Sequence, residues 1–276
     1  MDKTFDAFVP STGPALVAIS NLTAAYVPFT TLQAIPINST AHAASFAYAK
    51  RLTPPSVFGH LLRCFYFGLA FLYTGFPSNT PGVAQIGIEE LATRFFHTTL
   101  LHDLGWSTLP EALNHPAHAM TFELHGAIMA YDHLHAVAPE LDAHQVGDIA
   151  QSIVLHTSGD YWQQGNSSAN QMLMFLTALF DVGGYNGLGL AGLNFTSVWN
   201  PQTVREIEAA FPRGNFSQGG AAAFEREFSE KPNCLLSHFP GGLAGLDADL
   251  LVGPIVPVKS TNVRRVSRDP HLHYAN

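Results

Sequence analysis

Along most of this chain apolar residues recur roughly every three to four positions, the mark of helices that bury one face. The stretch from Pro54 to Tyr73 is apolar on nearly every side (Val57, Phe58, Leu61, Leu62, Phe65, Leu69, Phe71, Leu72) and belongs at the centre of the fold. Thr53 reads as its N-cap, with Pro54 at the first helical position. A short helix over 41–50 precedes it. After a linker with Pro77, Pro81 and Gly82 comes a helix whose inward stripe is Ile88, Leu91, Phe95 and His102, and which stops at Gly105. Residues 109–119 form a loop, 121–137 a helix closed by Pro139, and Asp142 caps the next, with the stripe Val146, Ile149, Ile153 and then His156. Ser167 or Ser168 caps a helix from Ala169 to Val182. Asn200 caps one that opens at Pro201 and runs to Ala210, and a short helix covers 222–229.

Residues 1–40 carry Pro10, Pro14, Pro28 and Pro36 without a sustained period, and read as an extended N-terminal arm lying over the domain rather than in its core. With no internal repeat and no convincing strand, the chain is expected to be all-α. The expected division is an arm over 1–40, a helical catalytic domain over 41–240 and an irregular C-terminal tail over 241–276.

Composition narrows the class. A chain of 276 residues can bury about three-quarters of its unfolded surface. The net charge of −8 excludes the basic footprint of a general nucleic-acid binder. Cys64 and Cys234 make no disulfide framework, and Cys64, beside Phe65, Tyr66 and Phe67, reads as a small buried hydrophobe. The start, Met1 to Asp6, lacks the order of a signal peptide, and there is no unbroken apolar run of about 18 residues. Asn-X-Ser/Thr triplets at Asn21, Asn38, Asn166, Asn194 and Asn215 are then chance matches. The expectation is a soluble cytoplasmic protein with no membrane and no nucleic-acid partner.

The chemistry lies in the polar interruptions of the apolar helices: His60, His102 with Asp103, and Asp181. Asp181 is the sharpest, since Thr177 is the one other polar side chain between Met172 and Val182. A buried carboxylate needs a partner, because an unpaired charge inside a protein is expensive. A divalent metal would satisfy two imidazoles and two carboxylates together, and such a mixed nitrogen and oxygen set suits Zn²⁺, Fe²⁺, Mn²⁺, Co²⁺ or Ni²⁺. Each residue also has a plainer reading, as a hydrogen-bonded core histidine or a helix-end aspartate.

The order H…HD…D over these residues resembles the HD-domain metallohydrolase superfamily. More closely, the segments LTPPSVFGHLLR (52–63), LLHDL (100–104), FELHGAI (122–128), IVLH (153–156), LFDVG (179–183), IEAAFPR (207–213) and Lys231-Pro232…His238 resemble, in order over 40–240, the fungal cyanamide hydratase group. That resemblance implies an HD-domain helical bundle. It implies one divalent metal, zinc in that group, held by His60, His102, Asp103 and Asp181. It also implies addition of water to a small nitrile, cyanamide giving urea. His125 stands where relatives have a bulkier aromatic, and Thr157-Ser158-Gly159 replaces a more polar stretch.

A bound divalent ion would bring the pKa of its water near 7 and so supply the nucleophile. The catalytic candidates are Asp103, His156 as proton donor or substrate-orienting group, and Glu123 and His125, which lie two apart and share no helix face. His97, His133, His135 and the loop pair His115 and His118 read as structural. The alternative is an HD-type phosphohydrolase acting on a nucleotide or small phosphate ester, with Arg63, one turn from His60, as the cation for phosphate; from 57 to 183 the chain has Arg63 and Arg94 and no lysine. A non-catalytic scaffold, an isocyanide or a larger nitrile also stay open, as do a homo-oligomer and a role for Arg264-Arg265 in its contacts.

Overall fold

The computed structural model describes residues 3–157, 165–186, 193–234 and 255. The C-terminal basic and histidine residues, His238, and Ser158-Gly159 lie outside them.

The fold is mostly helical, as the periodicity predicts. In chain order the helices are α1 (Gly13–Ile19), α2 (Phe29–Gln33), α3 (Thr40–Leu52), α4 (Pro55–Tyr73), α5 (Ile88–Leu101), α6 (Pro110–Leu113), α7 (Phe122–Val137), α8 (Ala143–Leu155), α9 (Ala169–Gly183), α10 (Pro201–Ala210) and α11 (Phe216–Glu230). Helix α4 is the hub: α5 and α9 pack along it, α10 and α11 cover its outer side, and α8 fills in between α5, α7 and α9. Among the described helices it is the one long and apolar enough to cross a membrane, with a mean hydropathy of 1.3, but 72% of that window is buried inside the protein. That burial marks a core helix.

The caps at Asp142, Ser168 and Asn200 form as expected, each side chain accepting a backbone N–H of the first turn. Thr53 does not cap α4. It ends α3, its hydroxyl donating to the Ala49 carbonyl, and α4 starts one residue later, with Pro54 as N-cap and Pro55 at the first position. Residues 110–113 of the expected loop make one helical turn.

Two expectations need larger correction. The chain does contain strands: β1 (Thr4–Asp6) pairs antiparallel with β3 (Gln85–Gly87), and β2 (Phe8–Pro10) with β4 (Asn166–Ser168). Each is three residues long, too short for an alternating pattern to show. The arm also enters the core, where Phe5, Val9, Leu16, Val27 and Leu32 are buried in the main apolar cluster. Since β3 leads directly into α5 and β4 into α9, the arm ties together the starts of these two helices.

The far ends of the helices meet through glycine. Gly105 lies against the backbone of Phe122, where a Cβ would collide with the Phe122 carbonyl, and a Cβ on Gly126 would sit 3.1 Å from the His102 carbonyl. These contacts set the end of α5, and so His102 and Asp103, directly against the start of α7. Gly105→Ala is expected to lower stability by about 1–3 kcal/mol through forced backbone separation; a thermal melt by circular dichroism equal to that of the parent would deny the close approach.

Candidate metal centre

Two helix ends and the second turn of α4 converge on one buried point. His60 comes from the second turn of α4, His102 caps the C-terminus of α5 with Asp103 next to it, and His156 caps the C-terminus of α8. All four are at most 5% exposed, so water satisfies none of them freely.

The hydrogen bonds fix which ring nitrogen of each histidine carries the proton. His102 Nδ1 donates to the Thr99 carbonyl at 2.8 Å and His156 Nδ1 to the Ile153 carbonyl at 2.6 Å. Each bond runs three residues back to a carbonyl of the helix's last turn, where the i→i+4 donors run out; the Ile153 carbonyl also accepts the His156 main-chain N–H at 3.5 Å. His60 Nδ1 donates to Asp181 Oδ2 at 2.6 Å. Burial, first among the causes, lowers the pKa of all three rings, that of His156 to about 4. They are therefore neutral, each with a single proton on Nδ1 and a bare lone pair on Nε2.

Those bare nitrogens face one another. His60 Nε2 and His102 Nε2 are 3.2 Å apart, and Asp103 Oδ2 lies 3.3 Å from His102 Nε2 and 3.7 Å from His60 Nε2. Between two lone pairs that contact is repulsive. Asp103 Oδ2 is buried with no hydrogen-bond partner, and burial with Glu123 nearby raises its pKa well above the ordinary value. A cation resolves all of this, since ligands about 2.0–2.2 Å from a tetrahedral zinc lie roughly 3.3–3.5 Å from one another. His60, His102 and Asp103 thus form a buried group that could hold a metal ion.

Asp181, expected as a fourth ligand, is placed differently. It meets His60 at Nδ1, the opposite edge of the ring from His102 and Asp103. Arg63 donates from Nε to Oδ1 at 2.8 Å and from Nη2 to Oδ2 at 2.9 Å, and Arg213 donates from Nη1 to Oδ1 at 2.8 Å. Burial opposes ionisation of Asp181, but Arg213 and Arg63 outweigh it and hold the carboxyl well below the usual range. With its oxygens accepting these bonds, Asp181 sets the tautomer of His60 from the Nδ1 edge of the ring, a placement also found behind metal-bound histidines. A second candidate group, His60, Cys64 and Asp181, also lies within reach of one ion. There burial keeps the Cys64 thiol protonated, its pKa raised well above normal. A thiol in that state is a poor ligand.

A cavity of about 100 Å³ opens onto this point. His60, His102, Asp103, His156 and Thr157 line its polar end, and Trp106, Phe175, Ala178, Leu179, Val182, Phe216, Gly220 and Phe224 line the rest. Phe216 stacks on His60 with ring centroids 4.6 Å apart. The other expected catalytic residues lie outside it. Glu123 sits behind the wall, accepting hydrogen bonds from the hydroxyls of Thr121 and Thr157. Burial raises its pKa, and the two threonines act against that. His125 faces the other way, buried against His115 and His118 at ring separations of 5.3 and 5.5 Å, where burial and then Lys231 push its pKa down to about 4. Its position two residues from Glu123 explains the opposite facing.

Sequence reasoning missed Arg213, Cys64, Trp106 and Phe216. Cys64 was within reach, four residues after His60 on the same helix, a spacing that puts both on one face. Arg213 and Phe216 lie in a different part of the chain and are brought in by tertiary packing alone. No protein-family model matches this chain, and no curated protein does.

Two expectations follow. Asp181→Asn should weaken metal affinity about 10–100-fold without abolishing binding; competition against a chelator that showed complete loss would make Asp181 a direct ligand. The second concerns pH. His156 and His125, at about 4, and His97, lowered by burial to about 3, are neutral when folded but protonate near 6.5 when unfolded. Between those values the unfolded chain binds more protons. The stability they contribute is whole above about pH 6.5 and is lost as pH falls toward 4. Urea midpoints should therefore drop steadily from pH 7.5 to pH 5, and a flat profile would contradict the neutral buried rings.

Proposed function

We propose that this protein is a metal-dependent hydratase that adds water to a small nitrile, most simply cyanamide to give urea, as a soluble cytoplasmic enzyme. The observation that carries the reading is the pair of bare Nε2 lone pairs, 3.2 Å apart beside the unpartnered Asp103 oxygen, at the floor of a cavity of about 100 Å³. A water molecule takes about 30 Å³ of liquid, so the space suits a molecule of a few heavy atoms. Drug-sized ligands, and nucleotides with them, need about 300 Å³ or more. The resemblance of the ordered segments to cyanamide hydratases points the same way.

His60, His102 and Asp103 would hold the ion. Two imidazoles and a carboxylate leave coordination positions open and suit Zn²⁺, with Fe²⁺, Mn²⁺ and Co²⁺ also compatible. When bound, a divalent cation supplies acidification of water and polarisation of the nitrile. The protein's own groups do the rest. His156 Nε2, 3.9 Å from Asp103 Oδ1, carries a lone pair, so in the resting state it accepts a proton in place of donating one. It takes the proton of the attacking water as the C–O bond forms. The Ile153 carbonyl on Nδ1 steadies the ring as positive charge grows. The same Nε2–H then protonates the nitrile nitrogen, where one C≡N π bond has opened, and the imidic acid tautomerises to the amide.

The phosphohydrolase reading loses its cation. Arg63 is fully buried, with Nε and Nη2 on Asp181 and Nη1 on the carbonyls of Phe211 and Pro212. Among the described residues no lysine or arginine lines the cavity.

His156→Ala should keep its metal by elemental analysis while urea formation from cyanamide falls about 10²–10⁴-fold, and His102→Ala should lose both. Full metal content in His102→Ala, or an unchanged rate in His156→Ala, would refute the assigned roles. A metal-loaded parent protein that makes no urea would refute the reaction.

A further inference from the structure

A second cavity, of about 550 Å³, lies at the starts of α5 and α9, the ends away from His102 and Asp181. Strands β2, β3 and β4 and helix α8 complete its wall. It shares no lining residue with the cavity at the metal centre, and its volume falls in the range of about 300–1,000 Å³ usual for small-molecule sites.

Two lining residues carry a buried polar atom that no other described residue engages: Nε of Arg94 and Oδ1 of Asn170. Their neighbours fix both assignments. Arg94 spends Nη1 on Asp148 and Nη2 on Glu90, which leaves its Nε–H as a bare donor. The Thr98 hydroxyl donates to the Arg94 carbonyl at 2.9 Å, so toward Asn170 it can only accept, and the Asn170 atom 2.9 Å from it is Nδ2. A second Nδ2 bond reaches Ser152 at 3.0 Å. The oxygen is the bare end of that amide, on a residue 1% exposed. A ligand that satisfies this pair accepts at Arg94 and donates at Asn170, and a hydroxyl group does both. Charge narrows the class further. Glu90 and Asp148 line the wall beside Arg94, so an anion would meet carboxylates and a cation the guanidinium. Gln151, Asn166, Ser167 and Gln171 add neutral amides and hydroxyls. Phe8, 54% exposed, adds an aromatic ring whose electron-rich face suits the C–H side of a sugar ring.

We propose that this cavity binds a neutral polyhydroxylated ligand of monosaccharide size, its hydroxyls accepting from Arg94 Nε–H and donating to Asn170 Oδ1. The inference is independent of the nitrile reading, since it needs neither metal nor turnover.

The test is saturation-transfer NMR on the full-length protein, with D-glucose, D-galactose, D-mannose and myo-inositol as probes. Cyclohexanol, a ring with one hydroxyl, and inorganic phosphate are the comparisons. A ligand of this size at ordinary efficiency has a Kd of the order of a few millimolar, so at least one polyol should bind saturably in that range. Arg94→Lys keeps the charge and loses the Nε–H, and should weaken that binding about tenfold. Phe8→Ala, at an exposed position, should weaken it while leaving the thermal melt close to that of the parent. Asn170→Ala should remove it; if that variant does not fold, the other two decide. No saturable binding of any of the four polyols, cyclohexanol binding as tightly, phosphate binding more tightly, or polyol affinity unchanged in folded Arg94→Lys or Phe8→Ala would each overturn the inference.

Discussion

The site depends on one local device used twice. A histidine placed at the C-cap of a helix turns its Nδ1–H back onto the carbonyl three residues earlier, and so points a bare Nε2 out beyond the helix end. His102 does this on Thr99 and His156 on Ile153. The carbonyls of the last turn need donors in any case, so fixing the tautomer requires no added element. His60, in the middle of a helix, has no free carbonyl to use and takes Asp181 for the same purpose. Three imidazoles are thereby made acceptors around a single carboxylate. Arranged so, they repel one another until something positive joins them.

The cluster behind His60 is a structural element in its own right. Asp181 comes from α9, Arg63 from α4 and Arg213 from the turn before α11, and all are buried. Arg213 also donates from Nη2 to the main-chain carbonyl of Asp181 at 2.6 Å. Removing one partner of such a cluster leaves charge uncompensated in the interior, at about 3–5 kcal/mol. The cluster therefore locks α9, α4 and the start of α11 into one arrangement. Phe216, at that start, lies with its ring 5.4 Å from both guanidinium groups and stacks flat on His60. The wall of the cavity and the orientation of its first histidine are set by the same contacts.

What was legible in the sequence follows from range. Caps, stripes and stops are local, so the helices over 142–155, 169–183 and 201–210 come out close to their observed bounds, and His60, His102, Asp103 and His156 are visible as polar breaks in apolar stripes. Roles that depend on a distant partner were not legible. The bonds that Asp181 accepts from Arg63 and Arg213 are tertiary, and Arg213 has no local pattern to announce it. Helix α11 starts at Phe216, ahead of the expected helix over 222–229, in a stretch where Gly219 and Gly220 have low helix propensity. In the fold Gly220 lines the cavity, and a Cβ on Gly219 would lie 3.4 Å from the Ser56 hydroxyl, so both mark where α11 closes over α4. Glu227 was equally hidden; it reaches across to accept the Phe122 N–H and caps α7 from another helix.

Charge balance is what separates a site for a neutral substrate from one for a phosphate. The two arginines nearest the centre face Asp181, and Arg213 also lies 3.7 Å from Glu208. Their charge is thus neutralised behind His60 and does not reach the cavity. Asp103 is the one carboxyl group among the described residues lining it, and no lysine or arginine accompanies it there. A phosphate ester entering would meet a carboxylate, apolar walls and at most one divalent ion, with no guanidinium or ammonium group to take up the developing charge of phosphoryl transfer. A nitrile enters without charge, and in its hydration one proton moves from water to nitrogen with no net charge to be carried away. A single histidine that accepts and then returns a proton is enough for that, the role our proposed reading assigns to His156.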